Sequence, residues 1–242
     1  MDLLRGNIKT LYFKYLSAAF GSALISSIYG IVDMAMVGQY QGPDGTAALA
    51  VVAPVWNVIY SLGLLMGIGG SVIFSTKRGS AKSGGNENEY FTASVIGSVA
   101  LAVLAWVGLL LFERPILTFF GADEALLALA KEYVRPIRFV FPLFLFNQML
   151  AAFLRNDGDP GLATLGVLAG GIFNIFGDYF FVFSCDMGIF CAGFATAIGS
   201  GISFLVMLTH FLHRKNTLRL VRPERLFKKL RKISVTGFST FF

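Results

Sequence analysis

Apolar residues fill six stretches of this chain, and polar residues gather in the short segments between them. A bilayer core of about 30 Å is crossed by about 20 apolar residues in an α-helix. The pattern therefore predicts spans over residues 11–38, 48–76, 90–112, 132–156, 161–184 and 188–213. Pro136 and Pro142 predict a break or kink in the fourth span, because proline lacks an N–H and clashes with the preceding turn. The intervening segments QYQGPDGT, KRGSAKSGGNENE, FGADEA and RNDGDPG carry turn residues. The expected fold class is an all-α membrane protein, a six-transmembrane-helix bundle. The run after Lys9 and Lys14 is too long for a cleaved signal peptide and carries an Asp, so it is read as the first span.

Composition sharpens this picture. The chain is 55% hydrophobic and 14% charged, against about 25% charged in an ordinary soluble domain. Sixteen of the twenty Lys and Arg residues fall at the N-terminus, between spans two and three, between spans four and five, or after span six. The positive-inside rule then puts the N-terminus and the basic tail in the cytoplasm. The tail, HRKNTLRLVRPERLFKKLRK, mixes basic residues with Leu218, Leu220, Leu226, Phe227 and Leu230. It reads as an interfacial helix held by anionic lipid; without aromatic–basic interleaving, nucleic acid is not an expected partner. ISVTGFSTFF then reads as the start of a seventh helix. The expected organisation is a membrane lobe at 1–213, a basic linker at 214–232 and a helix start at 233–242.

Two carboxylates lie within the spans, Asp33 and Asp178. A charge at the bilayer centre costs roughly 2.5–3.5 kcal/mol on insertion scales, so such residues are usually functional. Tyr29 and Asp33 are four apart and share a helix face, as do Asn174 and Asp178. Asp33 lies late in the first span, Asp178 late in the fifth and Thr196 early in the sixth, so alternating spans bring all three to a similar depth near the outer leaflet. Carboxylate and amide oxygens suit a hard cation such as Na⁺, and a buried carboxyl suits a proton. The structural alternative is that each Asp only accepts hydrogen bonds and fixes helix packing. Asn57, Asn147, Gln148 and Thr196 are further polar residues in the spans, as cavity-lining groups or as interhelical hydrogen-bonding groups.

Other features carry less. Gly63, Gly67 and Gly70 have the small-residue spacing that favours close helix packing. Cys185 and Cys191 flank a short loop and read as small apolar residues near helix ends, with a disulfide possible on an oxidising side. His210 and His213, beside Arg214 and Lys215, read as interfacial rather than metal-ligating. No nucleophile, base and electrophile converge, so an enzyme is not expected.

The ordered set of segments IVDMAMVG, AFLRNDGDPGLAT, FNIFGDYFFVF and MGIFCAGFATAIG resembles the multidrug and toxic compound extrusion (MATE) family, with MepA-like or DinF-like bacterial branches nearest. The resemblance covers nearly the whole chain. It implies one lobe of a two-lobe, twelve-helix transporter in the bacterial plasma (inner) membrane, whose partners are drug substrates, lipid and a C-terminal six-helix lobe. It implies export of cationic or amphiphilic drugs by alternating access, with no cofactor other than a coupling ion, H⁺ or Na⁺. It assigns that ion, including a possible Na⁺, to Asp33, Asn174, Asp178 and Thr196; Tyr29, Asn57, Asn147 and Gln148 remain candidate cavity-lining residues. The chain departs from the family pattern at Gly193-Phe194-Ala195 and at Tyr179, where a proline is frequent, so less bending is expected there. Two other readings stay open: a truncated, non-transporting or regulatory half, and a lipid or oligosaccharide flippase of the same superfamily.

Overall fold

The computed structural model describes residues 8–80, 86–184, 188–214 and 216–238. The described residues form eight α-helices. Five helical stretches are long and apolar enough to cross a membrane, and six are counted if one bent pair forms a single span.

Helix α1 (Ile8–Gln41) and α2 (Pro43–Gly79) are separated by Gly42 alone. The expected loop QYQGPDGT is thus one residue long. Gly42 adopts φ 74°, a left-handed backbone open to glycine, and Pro43 starts the next helix at once. Helix α3 (Asn88–Phe119) runs seven residues past its expected end at 112, with non-helical dihedrals at Phe112 three residues ahead of Pro115. The α3–α4 turn is closed by Gly121 at φ 103°, and Asp123 caps α4 by accepting from Leu126 N–H at 2.9 Å.

The fourth span is broken as its prolines predict. Helix α4 (Glu124–Ile137) and α5 (Phe141–Asn156) meet at 61°. The Trp106 indole N–H donates to the Arg138 carbonyl at 2.7 Å, satisfying one carbonyl at the break. Helix α6 (Pro160–Asp178) starts under an Asp159 cap. It continues into a π-helical turn, Tyr179–Ser184, where the expectation from Tyr179 was only a straighter helix. Helix α7 (Ile189–Leu208) ends in a 3-10 turn, Thr209–Leu212. Cys191 is buried on α7, and Cys185 lies outside the described residues.

Helix α2 is the centre of the bundle and touches α1, α3, α4, α5 and, last in the chain, α8 (Leu226–Gly237). Its glycines set those contacts. A Cβ at Gly63 would lie 2.6 Å from the Leu145 carbonyl, and one at Gly67 would lie 2.8 Å from Met149 Cα. Helices α6 and α7 meet through Gly170 and Gly199, where a Cβ on either would crowd the other's carbonyl at 2.4 or 2.7 Å. Phe194, in the departing motif, turns outward and stacks on Phe190, while Gly193 and Ala195 stay inside.

The basic segment is only partly helical. Residues 216–223 form an irregular strap that ends in a turn at 224–225, and helix begins at Leu226, running through the expected boundary at 233 to Gly237. Pro223 disfavours helix before it, and Arg225 sits in a left-handed conformation, φ 50°. The first turns of α3 hold the strap by side chains. Asn88 donates to the Thr217 carbonyl and accepts from Arg219 N–H, Thr92 accepts from Val221 N–H, and Glu89 accepts from Glu224 N–H and pairs with Lys229. Asp157, between α5 and α6, accepts from Arg78, Thr217 and His210. Burial alone would push its carboxyl up, but His210 and Thr217 outweigh that and hold it below the usual carboxylate range.

Candidate functional site

Asp33 stands on α1, Asn174 and Asp178 on α6, and Thr196 on α7. All three acidic and amide side chains are buried, Asp178 completely. The Asn174 amide donates to Thr196 Oγ1 at 3.0 Å. Asp33 and Thr196 line one cavity, and Asn174 and Thr196 line another. Sequence spacing and depth grouped these four positions, and the helices that carry them, α1, α6 and α7, pack against one another.

The residue that completes the arrangement was not anticipated. The Tyr133 hydroxyl, on α4, donates to Asp33 Oδ2 at 2.9 Å. Its helix presses on α7 at Gly193, where a Cβ would come within 2.0 Å of the Tyr133 carbonyl. Tyr133 lies between Lys131, Glu132 and Arg135, in a stretch that reads as a charged entry to span four. A signal was present: Leu127, Ala130, Tyr133, Val134 and Ile137 repeat at helical spacing and are all buried.

Four buried oxygens at the site have no hydrogen-bond donor among the described residues: Asp33 Oδ1, Asn174 Oδ1 and both oxygens of Asp178. All four are acceptors. A buried acceptor without a partner costs about 1–3 kcal/mol, more when charged. Only a proton, a cation or a donor can relieve such a set, and with Thr196 Oγ1 it offers the oxygen-only environment a hard cation takes. The donor set therefore fits Na⁺ as well as H⁺.

The surrounding space is divided. One cavity of about 300 Å³ is lined by Tyr29, Tyr60, Asn147, Gln148, Asn174 and Thr196, among others. A second, of about 150 Å³, is lined by Asp33, Tyr133, Trp56 and again Tyr29, Tyr60 and Thr196. The four grouped residues do not share one cavity. Instead Tyr29 and Tyr60, 3.3 Å apart at their hydroxyls, stand on the wall common to both, and Asp178 lines neither. Asn147 donates to the Ser200 carbonyl and hydroxyl, so it also ties α5 to α7. Asn57 is exposed and lines neither cavity. Ile59, two residues on, faces the core, and about 200° of helical rotation turns Asn57 away from it.

The chain's relatives agree with this arrangement of helices. Its residues 18–180 match the MatE family model. It is 26% identical over 220 residues to the multidrug export protein MepA of Staphylococcus aureus, covering 89% of this chain and 49% of that protein. For the MepA of Staphylococcus saprophyticus the figures are 27% over 223 residues, 90% and 49%. The chain spans about half the length of the curated relatives it matches. Among solved structures, a MATE protein in the straight conformation superimposes with a TM-score of 0.84 at 25% identity, covering 99% of this chain and 54% of that one. The outward-facing conformation of a multidrug resistance MATE family transporter gives 0.85 at 23%, covering 98% and 54%. With the family model matching most of its length, this multi-pass membrane chain belongs to the MatE family and corresponds to the N-terminal half of a MATE transporter.

Proposed function

We propose that this chain is the N-terminal lobe of an exporter of cationic or amphiphilic drugs, driven by inward flow of H⁺ or Na⁺. The coupling ion is held by Asp33, Asn174, Asp178 and Thr196, with Tyr133 orienting Asp33. The observation that carries this reading is the set of four donorless buried oxygens on Asp33, Asn174 and Asp178. A packing role alone would leave those acceptors satisfied by neighbouring donors. The relatives printed as multidrug export proteins support the substrate class.

The lobe sits in the bacterial plasma (inner) membrane with its N-terminus cytoplasmic. Support comes from the way Arg78 reaches both Asp157 and Thr217, joining the ends of three basic segments at one face of the bundle. Alternating access follows when ion loading at this site changes how the lobe packs against a second one, so that drug release and ion entry share one conformational cycle.

The test uses the full-length transporter in proteoliposomes, with an amphiphilic fluorescent cation as substrate. Dye efflux is expected to follow an imposed Na⁺ or H⁺ gradient and to stop in Asp33→Asn and Asp178→Asn while protein yield is kept. Efflux at the wild-type rate in both variants would sink the coupling role.

A further inference from the structure

Away from the membrane carboxylates, three ligating side chains meet where the α5–α6 turn touches the end of α7. Asp159 divides its oxygens. Oδ1 accepts from Leu162 N–H at 3.3 Å and caps α6. Oδ2 faces His210 Nδ1 at 3.5 Å and His213 Nδ1 at 3.9 Å. One ligand atom from each residue lies within 4.8 Å of the others. His210 is fully buried, and its Nδ1 makes no hydrogen bond. Its Nε2 stands 2.7 Å from Asp157 Oδ2. In the neutral tautomer that donates Nε2–H to Asp157, Nδ1 presents its lone pair to the Asp159 carboxylate. The gap between them is closed either by a proton on Nδ1 or by a metal ion that displaces it.

We propose that Asp159, His210 and His213 bind a divalent transition metal of the zinc class, with water completing the coordination. Two imidazole nitrogens and one carboxylate suit zinc, cobalt or nickel, whereas magnesium and calcium take oxygen ligands. The carboxylate behind His210 is the usual companion of a metal-bound imidazole, fixing its tautomer and orientation. The His213 side chain is 55% exposed and that of Asp159 26%, which gives an ion a path of entry and room for water. The exposed His213 ring is free to swing the short distance that full ligation needs. The ion would clasp the α5–α6 turn to the end of α7, beside the point where Asp157 holds Thr217 and the strap departs.

The experiment takes the purified chain in detergent without a polyhistidine tag. Zn²⁺ is titrated by calorimetry, and Co²⁺ by visible absorption. One ion per chain is expected, with the d–d bands of nitrogen- and oxygen-bound cobalt. Loss of an outer-shell partner weakens metal sites by about 10–100-fold, so loss of a ligand in His213→Ala should weaken Zn²⁺ binding at least about tenfold and remove the cobalt bands. His213 is exposed, so this variant keeps the fold; unchanged helical content by circular dichroism checks it. No binding to the wild-type chain up to millimolar Zn²⁺, which would leave a charged His210 bridging Asp157 and Asp159, overturns the proposal. Equal binding in wild type and His213→Ala overturns it as well.

Discussion

The Tyr133 hydroxyl donates to Asp33 Oδ2 at 2.9 Å and leaves Asp33 Oδ1 without a donor. Helices far apart in sequence thus share one carboxylate, half satisfied by protein and half open. Tyr133→Phe removes the satisfied half. An unpaired buried acceptor costs about 1–3 kcal/mol, so the variant should melt several degrees lower in detergent. Ion-driven efflux should fall but persist, because Asp33 remains. Melting and efflux both equal to wild type would show that the hydrogen bond orients nothing.

Asp178 behaves differently, since neither of its oxygens has a donor among the described residues. Asp178→Asn removes a buried charge that no protein group stabilises. Its melting temperature without Na⁺ should therefore equal or exceed that of wild type. Any stabilisation that Na⁺ gives the wild-type chain should vanish in the variant, because ion binding raises stability only where the ion binds. A strong loss of stability in Asp178→Asn would mean that the carboxylate holds the helices together directly.

The spans and the acidic site were legible for a physical reason. Membrane helices must be apolar over a fixed length, and intramembrane carboxylates stand out against that background. Asp33, Asn174, Asp178 and Thr196 could be grouped because helix direction and position together set depth. Tyr133 escaped because a tyrosine in a charged helix entry reads as interfacial, although it repeats at helical spacing with Leu127, Ala130 and Ile137 on the buried face of α4. The strap escaped for another reason. Its backbone is satisfied by Asn88, Glu89 and Thr92, more than a hundred residues earlier, and no local pattern reports such partners. Asp159, His210 and His213 were split in the same way between a turn and a helix end.

The contact between α6 and α7 rests on absent side chains. A Cβ at Gly170 would lie 2.1 Å from Ser203 Oγ and 2.4 Å from the Gly199 carbonyl, so Gly170→Ala must push the helices apart. Overpacking of this kind costs about 1–3 kcal/mol. It would also separate Asn174 from Thr196, further along the same interface. Gly201→Ala is the control, since nothing lies within 4 Å of its Cβ position. That change should be neutral or stabilising, by up to about 1 kcal/mol from helix propensity. Equal melting temperatures for the two variants would contradict the packing argument.

The strap and α8 are fastened through Glu89, whose side chain is 9% exposed and pairs with Lys229. Lys229→Ala leaves that carboxylate with the Glu224 N–H as its hydrogen-bond donor and Lys77 as the remaining nearby charge. Breaking a buried pair on one side costs roughly 3–5 kcal/mol at full burial, and less here because Lys229 keeps some contact with solvent. The bundle itself does not depend on this pair, so the cost falls on the attachment of residues 216–237. Hydrogen exchange should rise there and stay unchanged in α5, α6 and α7. Glu89→Gln should have a smaller effect, because the amide oxygen can still accept from Glu224 N–H and the Lys229 ammonium keeps its bond to the Glu224 carbonyl. Gly69 and Gly237 provide the remaining grip, since each lets α2 and α8 approach backbone to backbone. If Lys229→Ala leaves exchange in 216–237 as slow as in wild type, the strap's hydrogen bonds and the close α2–α8 packing hold the segment and the ion pair adds nothing to the attachment.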